Sequence, residues 1–207
     1  TMAKANILQT GKSYTFRSYF EMPYEPDDIL AEFDVSLQRS TLDLPQADID
    51  LDQIADLKRG IQRRLPYVSL TSETARREIL IAPIVLALID YTQAQLRIEY
   101  SINVSERLKG SLDYYLHTQH SFLVIEAKNA DLARGFTQLA VELVALDQWI
   151  EDDEPVLYGA VSTGDVWQFG RLNRKQRRVE QDLTLYRVPT DLDDLFRILI
   201  AILIDSH

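Results

Sequence analysis

The segment FLVIEAKNA, residues 122–130, carries the clearest candidate chemistry in the chain. In a β-strand alternate side chains share a face, so Phe122, Val124, Glu126 and Lys128 point one way and Leu123, Ile125 and Ala127 the other. A face that begins apolar therefore ends in an acid and an ammonium side by side. The pattern acid-x-Lys means little by itself: with 32 acids and six lysines in 207 residues, chance supplies about one copy, and the chain holds two. The other, Asp56 with Lys58, falls in a predicted helix, where residues two apart do not share a face. The Glu126 copy gains weight from Asp113, which lies in the preceding predicted strand and can approach Glu126 at one end of a sheet. Two carboxylates brought together repel unless a cation lies between them, and hard oxygen ligands suit Mg²⁺, with Mn²⁺ as a substitute. Lys128 beside them could orient or deprotonate an attacking water, or neutralise charge developing on a phosphate. The combination is that of metal-assisted phosphodiester hydrolysis.

The elements that must position these groups follow from periodicity. Residues 96–104, 108–116 and 121–128 are β-rich runs with short links, which predicts an antiparallel meander. Ser72 can cap a helix running to about Asp90, bent or restarted at Pro83. Residues 131–149 read as a deeply packed helix. The apolar strand 156–162 should then return parallel to 121–128 through that helix. VWQFGRL and VEQDLTLYRV form a further hairpin around NRKQRR. Thr190 with Asp193 opens a last helix whose apolar face is wide enough to bury in the core or to form a homodimer contact. Upstream, SYTFRSYF (13–20) and ILAEFDVSL (29–37) read as a β-hairpin across MPYEPDD, followed by a helix from Asp52 to Leu65 that Pro66 ends. The expected class is α/β (α+β), a mixed sheet flanked by helices. Residues 1–70 form an extension of hairpin plus helix packed on a core of residues 71–207.

Composition narrows the function. Lys and Arg number 22 against 32 Asp and Glu, a net charge of −10, which argues against coating nucleic acid by charge alone. With no cysteine, disulfide scaffolds, thiolate zinc sites and cysteine nucleophiles are excluded. The longest apolar stretch, residues 79–89, is far shorter than the ~20 residues of a membrane span, and the expectation is a soluble cytoplasmic protein without membrane contact. No glycine-rich phosphate loop and no strained serine elbow occur. His117 and His120 fall in a predicted hairpin loop without metal-ligand spacing.

These motifs resemble the PD-(D/E)XK nuclease superfamily, with its restriction-endonuclease-like, three-layer core. The resemblance covers about residues 71–165 and includes the order helix, three strands, helix, strand. It implies that Asp113 in KGSLDYYL and Glu126 in VIEAK bind Mg²⁺ and that Lys128 positions the nucleophile. Glu73 in SETARREI would assist metal or water binding, and Gln138 in GFTQLAVEL would support the site. Leu112 stands where many members have proline, and Pro26-Asp27 is a decoy in the N-terminal loop. Glu78 could replace Glu73, but five residues of separation put the two on different helix faces. The implied substrate is DNA.

Each residue also has a plainer role. Glu73 follows a helix cap, where an acid stabilises the helix by about 0.3–1 kcal/mol. Glu126 and Lys128 can form a simple ion pair, and Gln138 can pair with Glu142 one turn on. Arg171, Arg174, Lys175, Arg177 and Arg178 place five cations within eight positions. They read either as a solvated turn or as a local, weak contact for DNA phosphates.

Overall fold

The computed structural model describes residues 6–119 and 121–204, so His120 and His207 lie outside the described residues. In chain order the strands are β1 (Ser36–Ser40), β2 (Gln95–Ser105), β3 (Leu108–His117), β4 (Phe122–Ala127), β5 (Val156–Ser162), β6 (Val166–Asn173) and β7 (Arg178–Arg187). The helices are α1 (Phe16–Glu21), α2 (Pro26–Ala31), α3 (Asp52–Arg64), α4 (Glu73–Arg76), α5 (Ala82–Thr92), α6 (Leu132–Trp149) and α7 (Leu192–Ile204). All seven strands form one open, mixed sheet in the order β1-β7-β6-β5-β4-β3-β2. The expected meander β2–β3–β4 is antiparallel. The strand–helix–strand unit β4–α6–β5 returns parallel, and β6–β7 is the expected hairpin.

Helices cover both faces, and the alternation along β4 shows why. Leu123, Ile125 and Ala127 pack into a core shared with α3, α5 and α7, while Phe122 and Val124 pack into a second core with α1, α2 and α6. The period of two places Glu126 on the α6 side, next in line after Val124. Nine of the thirteen residues of α7 are buried, so the wide apolar face that suggested a homodimer contact is consumed within the fold. No helix among the described residues is long and apolar enough to cross a membrane.

The N-terminal hairpin expected from sequence does not form. Residues 16–21 and 26–31 are short helices, and the strand in this region begins only at Ser36. Phe16 and Tyr19, three apart, both reach the core, a spacing that suits one helix face. The backbone N–H of Thr15 donates to Ser18 Oγ at 3.1 Å, fixing the first turn. Pro26 opens α2 with Asp27 and Asp28 in its first turn, and these are helix-start residues. Short aromatic runs fit either period, and here the caps decide. β1 therefore pairs in parallel with β7 and forms an edge of the sheet, and Leu44, Ile54 and Ile61 join the core beside α7.

Ser72 caps its helix as expected, its Oγ accepting from the Ala75 N–H at 3.1 Å. The expected interruption near Pro83 is a wide turn over Arg77–Ile81, closed by the Ala82 N–H donating to the Arg77 carbonyl. Proline has no N–H for the regular ladder, so its entry into α5 suits such a restart. π-type turns of this kind occur often at functional sites.

Candidate active site

Where β4 ends beside the middle of β3, five elements converge. Tyr114 pairs with Ile125 across the antiparallel ladder, and one step further the same register sets Asp113 opposite Glu126. Residues opposite each other in such a pair share a face. Glu73 at the start of α4, Gln138 on α6 and Lys128 just after β4 join them around one cavity of about 520 Å³. Phe16, Arg17 and Phe20 of α1 form part of its wall. All five expected residues line it, and Glu73, not Glu78, is the acid of the first core helix that does so.

Glu126 is buried, with 1% of its surface exposed. Its Oε1 accepts from Gln138 Nε2 at 2.7 Å and lies 2.5 Å from Lys128 Nζ. Its Oε2 is buried without a hydrogen-bond partner. Gln138 Nε2 also donates to Glu142 Oε1 at 2.9 Å, so the supporting role and the plain helix pairing expected for this glutamine occur together. Asp113 Oδ2 accepts the Ala127 N–H at 2.9 Å, and its Oδ1 lies 3.9 Å from Arg77. Arg77 thus lies beside Asp113, and the fully buried Glu142 shares with Glu126 the Gln138 amide donor.

Burial and the neighbouring Asp113 push the Glu126 carboxyl up, and Lys128 pulls partly against them. Glu142 is pushed well up by burial and by Glu126. Burial would lower Lys128, but the Glu126 carboxylate outweighs it and holds the ammonium above its ordinary range. Lys128 therefore stands as a cation at neutral pH, which favours charge neutralisation over proton abstraction.

The donor set can be tested against a divalent metal. Among the described residues, no group of three or more Asp, Glu or His side chains converges as a ready-made cage. Asp113 and Glu126 face one cavity, and Glu73 is an exposed residue of its wall. The unpartnered Glu126 Oε2 and the Asp113 Oδ1 are hard donors. Two hard carboxylate donors lining one cavity suit an ion such as Mg²⁺, which usually keeps several of its waters.

The basic hairpin tip lies elsewhere. Arg171 and Arg178 both bind Glu180, at 2.5 and 2.9 Å. Arg174 binds Asp147 at 2.5 Å and the carbonyls of Asp152 and Glu154. Arg177 binds the carbonyls of Phe33 and Asp34. Of the five cations only Lys175 has no ion pair among the described residues. The tip adjoins Asn173, which pairs with Val156, whereas Glu126 pairs with Val161. Five residues of strand are about 17 Å, so tip and cavity occupy opposite ends of the sheet.

Sequence reasoning missed Arg77, although its place four residues after Glu73 puts it on the same helix face. It missed the α1 wall because that segment was read as a strand. His117 ends β3 and stacks on Tyr115, with ring centroids 5.2 Å apart, away from any metal-ligating cluster. Compared with protein-family models, curated proteins and solved structures, the chain matches none.

Proposed function

We propose that the chain is a Mg²⁺-dependent nuclease, Mn²⁺ substituting, that hydrolyses DNA phosphodiester bonds in the cytoplasm on a restriction-endonuclease-like core. The observation that carries this reading is the convergence of Asp113, Glu126, Lys128, Gln138 and Glu73 on one cavity from α4, β3, β4 and α6. The element order from residue 73 to 162, helix, three strands, helix and a parallel strand, supports it further.

In this reading Asp113 and Glu126 would hold the metal, and Glu73 would assist metal or water binding. The ion, when bound, supplies Lewis acidity at the phosphate and a more acidic water. Gln138 fixes the Glu126 carboxylate through its 2.7 Å bond, and the unpartnered Oε2 would be the donor available to the ion. Lys128 sets a positive charge where the phosphate develops negative charge. Arg77 offsets the charge of Asp113 at 3.9 Å. Phe16 and Phe20 form part of the cavity wall.

A second reading, a non-catalytic binding module on the same scaffold, is favoured by the missing third carboxylate and by the 2.5 Å engagement of Lys128 with Glu126. Incubation of the protein with DNA and Mg²⁺ or Mn²⁺ separates the two. Cleavage that Asp113→Ala and Lys128→Ala remove supports the nuclease; no cleavage under either metal supports the module.

A further inference from the structure

A second cavity of about 500 Å³ adjoins the first across α1 and the opening turn of α6. α1 gives Phe16, Arg17 and Phe20 to the first cavity and Tyr19, with Met22 just after it, to the second. Asp131 lines the first and Arg134 the second, and their side chains meet at 3.4 Å. The two cavities are therefore neighbours with one ion pair on their border.

Their charges differ. The first holds Glu73, Asp113, Glu126 and Asp131 against Arg17 and Lys128. In the second, Arg39 and Arg134 face the single carboxylate of Glu25. These guanidinium groups are also freer than those of the hairpin tip. Arg39 gives its Nε to the neutral amide of Gln181 at 3.0 Å and has no carboxylate partner among the described residues. Arg134 is about half exposed, and its carboxylate partner is 3.4 Å away. Each guanidinium has five N–H donors, a fork that matches phosphate. Beside them stands Tyr24, 50% exposed, on a turn stiffened by Pro23 and Pro26 on either side of the Tyr24-Glu25 pair. An exposed ring beside two forked cations offers a stacking face and a phosphate clamp together.

We infer that this second cavity binds the nucleotide flanking the cleaved phosphate in single-stranded DNA, with Tyr24 stacking on the base and Arg39 and Arg134 holding its phosphate. Its volume lies within the roughly 300–1,000 Å³ of small-ligand sites. The stacking face needs an unpaired base, and the −10 net charge provides no broad cationic surface for a duplex. The inference rests on the nuclease reading for its substrate class.

The test is fluorescence anisotropy of a 5′-fluorescein decathymidylate in Ca²⁺, with wild type, Tyr24→Ala, the double variant Arg39→Ala/Arg134→Ala, and Asp113→Ala, alongside cleavage in Mg²⁺. Circular dichroism and Tm verify folding, which these exposed positions leave unchanged. The expected result is affinity at least about five-fold weaker for Tyr24→Ala and ten-fold weaker for the double variant, with a duplex of the same length bound at least ten-fold more weakly than the single strand. Equal binding of the duplex, unchanged affinity in both variants, or no binding by wild type would overturn the inference. Binding that depends on Tyr24 and the arginines without any cleavage would keep the subsite and refute the nuclease reading. Cleavage lost in Asp113→Ala but unaltered, with unaltered binding, in the cavity variants would do the reverse.

Discussion

Glu126 has one oxygen held by Gln138 and Lys128 and another with no partner, so substitutions around it separate positioning from charge. On the proposed function, Lys128→Ala removes the cation that would face the phosphate and should lower cleavage about 100-fold, the usual cost of one preorganised electrostatic group; single-turnover rates on DNA with Mg²⁺ measure it. Glu142→Gln keeps an acceptor for Gln138 Nε2 and should retain cleavage and stability. Glu142→Leu leaves that buried donor one partner short and should cost about 1–3 kcal/mol, readable by urea unfolding. At the far end of the sheet, burial alone would raise Glu180, but Arg171 and Arg178 outweigh it and hold its carboxyl below the usual range. A lowered folded pKa stabilises above the unfolded value and loses that stabilisation as pH falls through the folded one. The Tm gap between wild type and Glu180→Gln should therefore be full near neutrality and narrow as pH falls below about 4. Residues 122–128 were legible because period-two alternation fixes which side chains share a face. The α1 residues were not, because their roles come from contacts distant in sequence, and Arg77, though on the helix face of Glu73, meets a partner, Asp113, far along the chain.

Two glycines set the fit of whole elements around the site. Gly135 in α6 passes so close to the end of β4 that a Cβ there would lie 2.9 Å from Lys128 Cγ and 2.8 Å from Val161 Cγ2. Gly135→Ala should displace Lys128, cost about 1–3 kcal/mol by overpacking, and reduce cleavage more than the added unfolded fraction explains. Gly110 has a φ of +144°, and a Cβ on it would meet Phe16 Cδ2 at 2.7 Å. Substitution there should lift α1 from the cavity, seen as faster proteolysis within residues 10–22. The meander, the parallel return through α6 and the last hairpin were all readable from period and link length. α1 and α2 were not, since an aromatic run of six residues satisfies either period until Thr15, Ser18 and Pro26 act as helix starts.

At the scale of the molecule, one sheet carries helices on both faces, and its two ends have different electrostatic uses. The tip of β6–β7 ties its arginines to Asp147, Glu180 and the 152–154 loop, a structural role that five clustered cations in the sequence did not reveal. The cavity end gathers carboxylates, for which the proposed function supplies a divalent cation. A chain with net charge −10 should therefore bind DNA weakly without a divalent metal and more tightly with one. The most direct test of the account is calorimetric titration of Mn²⁺ into wild type, Asp113→Ala and Glu126→Ala, with DNA cleavage followed in parallel. The account predicts a Mn²⁺ site in wild type that either substitution abolishes together with cleavage; no Mn²⁺ binding by wild type, or cleavage undiminished in Asp113→Ala, would contradict it.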